Sequence, residues 1–120
     1  MAHILVVDDS NTMRQMVRFT LSSVKHTVAE AENGVQALKL AQEAKFDLVI
    51  ADVNMPEMNG IDLIKALRAL PAFKFTPILM LTTESHAEKK QKGKEAGATG
   101  WIVKPFNPEA LLNVLSKVLV

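Results

Sequence analysis

Carboxylates, hydroxyls and an ammonium stand at the ends of apolar runs in this chain. Asp8 and Asp9 follow Ile4-Leu5-Val6-Val7, Asp52 follows Leu48-Val49-Ile50-Ala51, Thr82 and Thr83 follow Ile78-Leu79-Met80-Leu81, and Lys104-Pro105 follows Gly100-Trp101-Ile102-Val103. Runs of this kind read as strands of a parallel sheet, and ligands bind beyond the carboxyl ends of such strands. Carboxylate oxygens suit a small hard cation such as Mg²⁺. A carboxylate can also act as a nucleophile toward phosphorus, while a hydroxyl and an ammonium hold phosphoryl oxygens. Gathered at one edge, the set would make a cation and phosphate site. Each member alone has a plainer reading: an Asp after a strand begins a turn, one of two adjacent acids caps the next helix, Thr favours strands, and Lys before Pro is a solvated loop residue. Their occurrence together and in order carries the argument.

The elements that must position these groups show in the alternation of short Val, Ile and Leu runs with longer segments of helical period, the pattern of βαβ units. His3 to Val7 reads as the first strand, and Met13, Met16, Val17, Leu21 and Val24 predict an amphipathic helix with Arg14 and Arg18 on another face. His26 to Ala31 reads as a second strand, Asn33-Gly34 as the turn into a helix with apolar Val35, Leu38, Leu40, Ala41 and Ala44, and Leu48 to Ala51 as a third strand. Ile61, Leu63, Ile64 and Leu67 mark a third helix stopped by Pro71, and Pro77 opens a fourth strand. The segment Ser85 to Ala96 is a weak helix, with Lys89, Lys90, Lys92 and Lys94 and few large apolar residues. Gly93 within it costs about 1 kcal/mol relative to Ala, so this region is expected to be weakly packed and mobile. Gly100 to Val103 is a fifth strand, and Pro108 precedes a last helix with Leu111, Leu112, Leu115 and Leu119 at core spacing.

A length of 120 residues suits one domain, and 48% hydrophobic with 5% aromatic residues means a core of Ala, Val, Leu and Ile. There is no cysteine, so neither disulfides nor thiol chemistry enters. Fourteen basic and 13 acidic residues give a net charge of +1, which excludes a global field attracting nucleic acid or anionic lipid. The segment before Asp8 is too short for a secretory signal, and no apolar run approaches the ~18 residues of a membrane span. A soluble cytoplasmic protein is expected.

In this order and on these elements, Asp8-Asp9, Asp52, Thr82 and Lys104-Pro105 resemble the receiver domains of two-component response regulators, and the length matches their stand-alone CheY-like members. The resemblance covers nearly the whole chain. It implies a single (βα)5 domain over residues 1–120, of flavodoxin-like α/β fold, with a five-stranded parallel sheet of order 2-1-3-4-5, helices on both faces and no output domain. It further implies that Asp52 is the phosphoacceptor and that Asp8 and Asp9 form the Mg²⁺ site, with Asp9, Asp52 and the backbone carbonyl of Asn54 as direct ligands. Thr82 and Lys104 would contact the phosphoryl group, Thr82 moving toward it as Trp101 swings inward, at a position where Tyr or Phe is usual in the family. The Lys104-Pro105 bond is implied to be cis. Three carboxylates carry about −3 and phosphorylation adds roughly −1.5 to −2, which Mg²⁺ and Lys104 offset.

The implied function is a phosphorylation-activated response regulator. A sensor histidine kinase of the chemotaxis, CheA-like type donates the phosphoryl group. A downstream protein such as a flagellar switch component then reads the last two helices and the fifth strand, and a phosphatase is a further partner. The chain would be a monomer that catalyses only its own phosphorylation and dephosphorylation, without nucleic acid or membrane. Thr82-Thr83-Glu84 before a basic helix, and Gly100 to Phe106, look most like the chemotaxis members. Alternatives are a single-domain phosphorelay intermediate and a receiver-fold binding module that is never phosphorylated, although no member of the reactive set is missing. Asp52-Val53-Asn54 is spaced like the Asp-x-Asp of haloacid-dehalogenase phosphatases, but Asn54 cannot exchange a proton as their second Asp does. The lysines at 89, 90, 92 and 94 lack a stacking aromatic or a reading helix for nucleic acid. His3, His26 and His86 show no metal spacing.

Overall fold

The computed structural model describes residues 2–53, 58–82, 87–104 and 107–119, the side chains of 87–89 excepted. Strands β1 (His3–Val7), β2 (Thr27–Ala31), β3 (Leu48–Asp52), β4 (Ile78–Thr82) and β5 (Gly100–Val103) alternate with helices α1 (Asn11–Ser22), α2 (Gly34–Glu43), α3 (Gly60–Arg68), α4 (Ala87–Ala96) and α5 (Pro108–Val118). The sheet is parallel throughout, in the order β2-β1-β3-β4-β5 that the family resemblance implied.

Side chains of successive strand residues point to opposite faces, and the core divides accordingly. Leu5, Val7, Val49, Ala51, Ile78 and Met80 pack with Ala37 and Ala41 of α2 and Leu63, Ile64 and Leu67 of α3. Ile4, Val6, Leu48, Ile50, Leu79 and Leu81 pack with Val17 and Leu21 of α1 and Leu111 and Leu115 of α5. Strands covered on both faces must be apolar along their whole length, which is why β1, β3 and β4 read as uninterrupted runs. Four helices start on a side chain that accepts from the first turn: Ser10, Asn33, Asn59 and Asn107 bond the N–H groups of Met13, Gln36, Asp62 and Glu109. Such a cap is worth about 1 kcal/mol.

Several expectations need correction. Met16, Val24 and Val35 are exposed rather than core, and Ala44 is exposed as well. Arg14, expected on the polar face of α1, is buried, and Ala37 takes the place in the core expected of Val35. The second strand begins at Thr27, since the His26 N–H is still engaged with Leu21 O at 3.2 Å; the His26 ring accepts the Ala2 N–H at 3.0 Å. Pro71 does not itself end α3; it opens a short 3₁₀ turn, Pro71–Phe73, that buries Phe73. Gly93 is a point of close packing and not merely a weak helix residue: a Cβ there would lie 2.1 Å from Met80 Sδ, so the missing side chain lets α4 sit down on β4. The expected start of α4 at Ser85 lies outside the described residues.

Arg68 fastens the far edge of the sheet. Its guanidinium donates to the carbonyls of Phe73 at 2.7 Å, Thr76 at 2.6 Å and Gly97 at 2.8 Å, tying the end of α3 to the approach to β4 and the exit from α4. Gly97 has φ 112°, a conformation that glycine tolerates best.

Gly60 lies directly against the end of β3. A Cβ there would stand 2.2 Å from the backbone carbonyl of Asp52, and the Gly60 N–H donates to Val53 O at 3.1 Å. The contact is with backbone, which cannot rotate away. Gly60→Ala is expected to destabilise the fold by about 1–3 kcal/mol, the usual range for overpacking, although Ala is the better helix former. Urea unfolding of the two proteins checks this.

Candidate functional site

The register of the central strands brings the reactive residues level. Val7 pairs with Ala51, so the next residues, Asp8 and Asp52, sit side by side at the carboxyl edge. Asp52 in turn pairs with Leu81, and Thr82 with Val103. The Lys104 N–H donates to Thr82 O at 2.7 Å, extending the ladder by one residue.

Lys104 stands at the centre. Its Nζ lies 3.2 Å from Asp8 Oδ2 and 3.1 Å from Asp52 Oδ1. Asp8 is fully buried, Asp52 and Thr82 nearly so, and Asp9 is exposed. One carboxylate oxygen from each of Asp8, Asp9 and Asp52 lies within 4.8 Å of the others. Burial of Lys104 is the largest single influence on its pKa and lowers it, but the hydrogen bond and charge of Asp52, then the charge and hydrogen bond of Asp8, together outweigh that. The pKa is therefore raised above the ordinary lysine value.

The donors suit a hard divalent cation on two grounds. They are all oxygen, from carboxylates converging on one place. Asp8 Oδ2 is also buried, and among the described residues it accepts no hydrogen bond of good geometry, with the Lys104 ammonium 3.2 Å away. Its sister Oδ1 is already taken by the Ser10 N–H at 2.9 Å. An acceptor left in that state costs free energy that a cation would recover.

The sequence-derived set is thus brought together for Asp8, Asp9, Asp52, Thr82 and Lys104. Neither Asp8 nor Asp9 caps α1, because Ser10 does. Asn54, Thr83 and the Lys104-Pro105 bond concern residues outside the described ones. Trp101 is 42% exposed, with Lys90 Nζ 5.5 Å from its ring centroid. Sequence reasoning overlooked Arg14, whose Nη1 donates to the Asp8 carbonyl at 2.6 Å, and Gly60 beneath Asp52. The available signals were an arginine one turn into the helix that follows the acidic pair, and Glu30, an acid inside a strand between two alanines.

The fold is shared with known proteins. The family model for the response regulator receiver domain matches residues 4–116. The chain is 48% identical over 118 residues to chemotaxis protein CheY1 of Helicobacter pylori, covering 97% of this chain and 95% of that one. It is 39% identical over 116 residues to chemotaxis protein CheY of Pseudomonas aeruginosa, covering 96% and 94%. The structure of chemotaxis protein CheY4 of Vibrio cholerae superposes with a TM-score of 0.95 at 57% identity, covering 99% of each chain. The chain belongs to the response regulator receiver domain family and is a phosphorylation-activated response regulator of two-component signalling. Among the described residues no helix is long and apolar enough to cross a membrane.

The raised pKa of Lys104 sets a direction with pH. A folded pKa above the unfolded one gives a stabilisation that is complete below the ordinary lysine range and is lost as pH rises through the raised value. The stability advantage of wild type over Lys104→Met is expected to hold through neutral pH and to shrink on the alkaline side. Urea midpoints measured across that range in metal-free buffer check it.

Proposed function

We propose that Asp52 is the phosphoacceptor and that the site takes its phosphoryl group from a phosphohistidine of a sensor kinase, of the chemotaxis type. The observation that carries this reading is the Lys104 ammonium held between Asp8 Oδ2 and Asp52 Oδ1. It places a fixed positive charge where a phosphoryl group on Asp52 would put its oxygens. A P–O bond forms to an Asp52 oxygen as the bond from phosphorus to the donor imidazole nitrogen breaks, and that nitrogen leaves with the electron pair. The Lys104 ammonium lies 3.1 Å from Asp52 Oδ1, and Gly60, lacking a Cβ, packs directly against the Asp52 carbonyl. Thr82, on the neighbouring strand end, supplies a hydroxyl donor to the phosphoryl oxygens.

Asp9 and Asp52, with the carbonyl of Asn54, would hold Mg²⁺, and Asp8 would support it from behind. When bound, the ion offsets negative charge that develops on the transferring oxygens. The reaction is single and self-limited: the protein promotes its own phosphorylation and slow hydrolysis and turns over no separate substrate. It acts in the cytoplasm as a monomer, and its output is contact with another protein. The chemotaxis names of the three relatives described above favour a flagellar switch component over a further relay protein. The docking surface is α4, β5 and α5, where Trp101 is exposed. A partner preferring the phosphorylated arrangement shifts the equilibrium toward it, and the shift is bounded by that difference in affinity.

Acetyl phosphate with Mg²⁺ is expected to add one phosphate to the wild-type chain and none to Asp52→Asn, as read by mass spectrometry. A saturable change in Trp101 fluorescence should accompany the addition. No mass gain in wild type would favour a binding module that is never phosphorylated, and steady release of phosphate from small phosphomonoesters would favour a phosphatase.

A further inference from the structure

We propose that Arg14 is a positioning residue for the acidic cluster, holding the Asp8 peptide so that both neighbouring carboxylates face the cation. The inference rests on the reading of this site as a cation site. Arg14 is 6% exposed, unusual for an arginine, and its donors spread over three groups. Nη1 donates to the Asp8 carbonyl at 2.6 Å, Nε to Glu30 Oε1 at 3.1 Å and Nη2 to Asn11 Oδ1 at 3.2 Å. Glu30 is held from its other side by Arg18 Nη1 at 2.5 Å. Glu30 lies on β2, which pairs with β1, so the guanidinium braces α1 against the sheet beside the site.

The consequence comes from peptide geometry. The Asp8 carbonyl and the Asp9 N–H belong to one planar unit, so fixing the first orients the second. The Asp8 N–H donates to Ala31 O at 3.1 Å and its Oδ1 accepts from Ser10 N–H at 2.9 Å. With Arg14 on the carbonyl, the Asp8 peptide is fixed, and the remaining oxygen, Oδ2, faces the site with the Lys104 ammonium 3.2 Å away. Asp9 is exposed, so its direction depends on the plane from which it starts.

Charge and positioning make opposite forecasts. As a nearby cation Arg14 repels a metal, and its neutralisation would tighten binding; as a brace, its loss loosens the carboxylates and weakens binding. The test titrates Mg²⁺ alone, without any phosphoryl donor, into wild type, Arg14→Lys, Arg14→Gln and Val17→Ala, following heat and the Mg²⁺-dependent shift of the urea midpoint. Unfolding curves show that each protein is folded at the start. Arg14→Lys keeps the charge but loses the planar fork, and both Arg14 variants are expected to bind about tenfold more weakly, as outer-shell substitutions commonly do. Val17→Ala, destabilised on the same helix, should bind as wild type does. Arg14→Lys binding like wild type, or Arg14→Gln binding more tightly, overturns the proposal while leaving the cation site intact. If neither variant folds, Arg14 is structural only and the proposal fails. Wild type that neither binds nor is stabilised by Mg²⁺ overturns the cation reading itself.

Discussion

Carboxylates brought within 4.8 Å of one another repel, and in this protein one of them, Asp8, has no exposure to water at all. For two unit charges near 4 Å the repulsion is about 4 kcal/mol at the effective dielectric of a protein surface. Lys104 answers it by standing within 3.2 Å of Asp8 and 3.1 Å of Asp52. A single ammonium cannot neutralise three acids, so the edge keeps an excess of negative charge. That residual charge leaves the site short of positive charge. A group that satisfied every carboxylate internally would have made a stable corner with no affinity for a cation.

The rest of the fold serves to hold that edge still. The three central strands are buried on both faces, and α1, α2, α3 and α5 start on capped turns. Asp8, Asp52 and Thr82 are fixed by register, each beside or beyond a paired residue of the neighbouring strand. Gly60 and Arg14 act at the next level. One removes a Cβ that would push on the Asp52 carbonyl, and the other supplies a donor to the Asp8 carbonyl. Both address backbone, because carboxylates that must converge are aimed first by the peptide planes that carry them.

The strands and the reactive set were legible in the sequence because they leave local signals. A strand covered on both sides has to be an apolar run, and an acid directly after such a run is conspicuous, as Asp8, Asp9 and Asp52 are. Helix faces were read less well. Met16 and Val35 have apolar side chains at helical spacing yet face water, while Arg14 and Ala37 occupy the buried positions. Spacing identifies a helix but fixes its rotation only to within a residue or so, and small side chains such as Ala37 are needed where a helix approaches the sheet closely. Gly93 misled for a related reason: propensity counts its missing side chain as a loss, whereas a Cβ there would have to displace the end of the Met80 side chain. The strand order itself leaves no local signal and came only through family resemblance.

Communication from the site to the surface can be short because the same two strands carry both ends of it. Thr82 pairs with Val103, Met80 with Trp101, and the Lys104 N–H bonds Thr82 O, so the end of β4 and the end of β5 move as one ladder. Any pull on Thr82 or Lys104 by a phosphoryl group on Asp52 would load that ladder two rungs from Trp101. At the other end, Trp101 is half in water and touched by the Lys90 ammonium, a cation–π contact of about 0.5–1 kcal/mol at an exposed site. Such a contact is weak enough to break and re-form without disturbing the core beneath it. The energetic asymmetry is direct: charge-assisted contacts at the site are strong, and the restraint on the surface aromatic is slight.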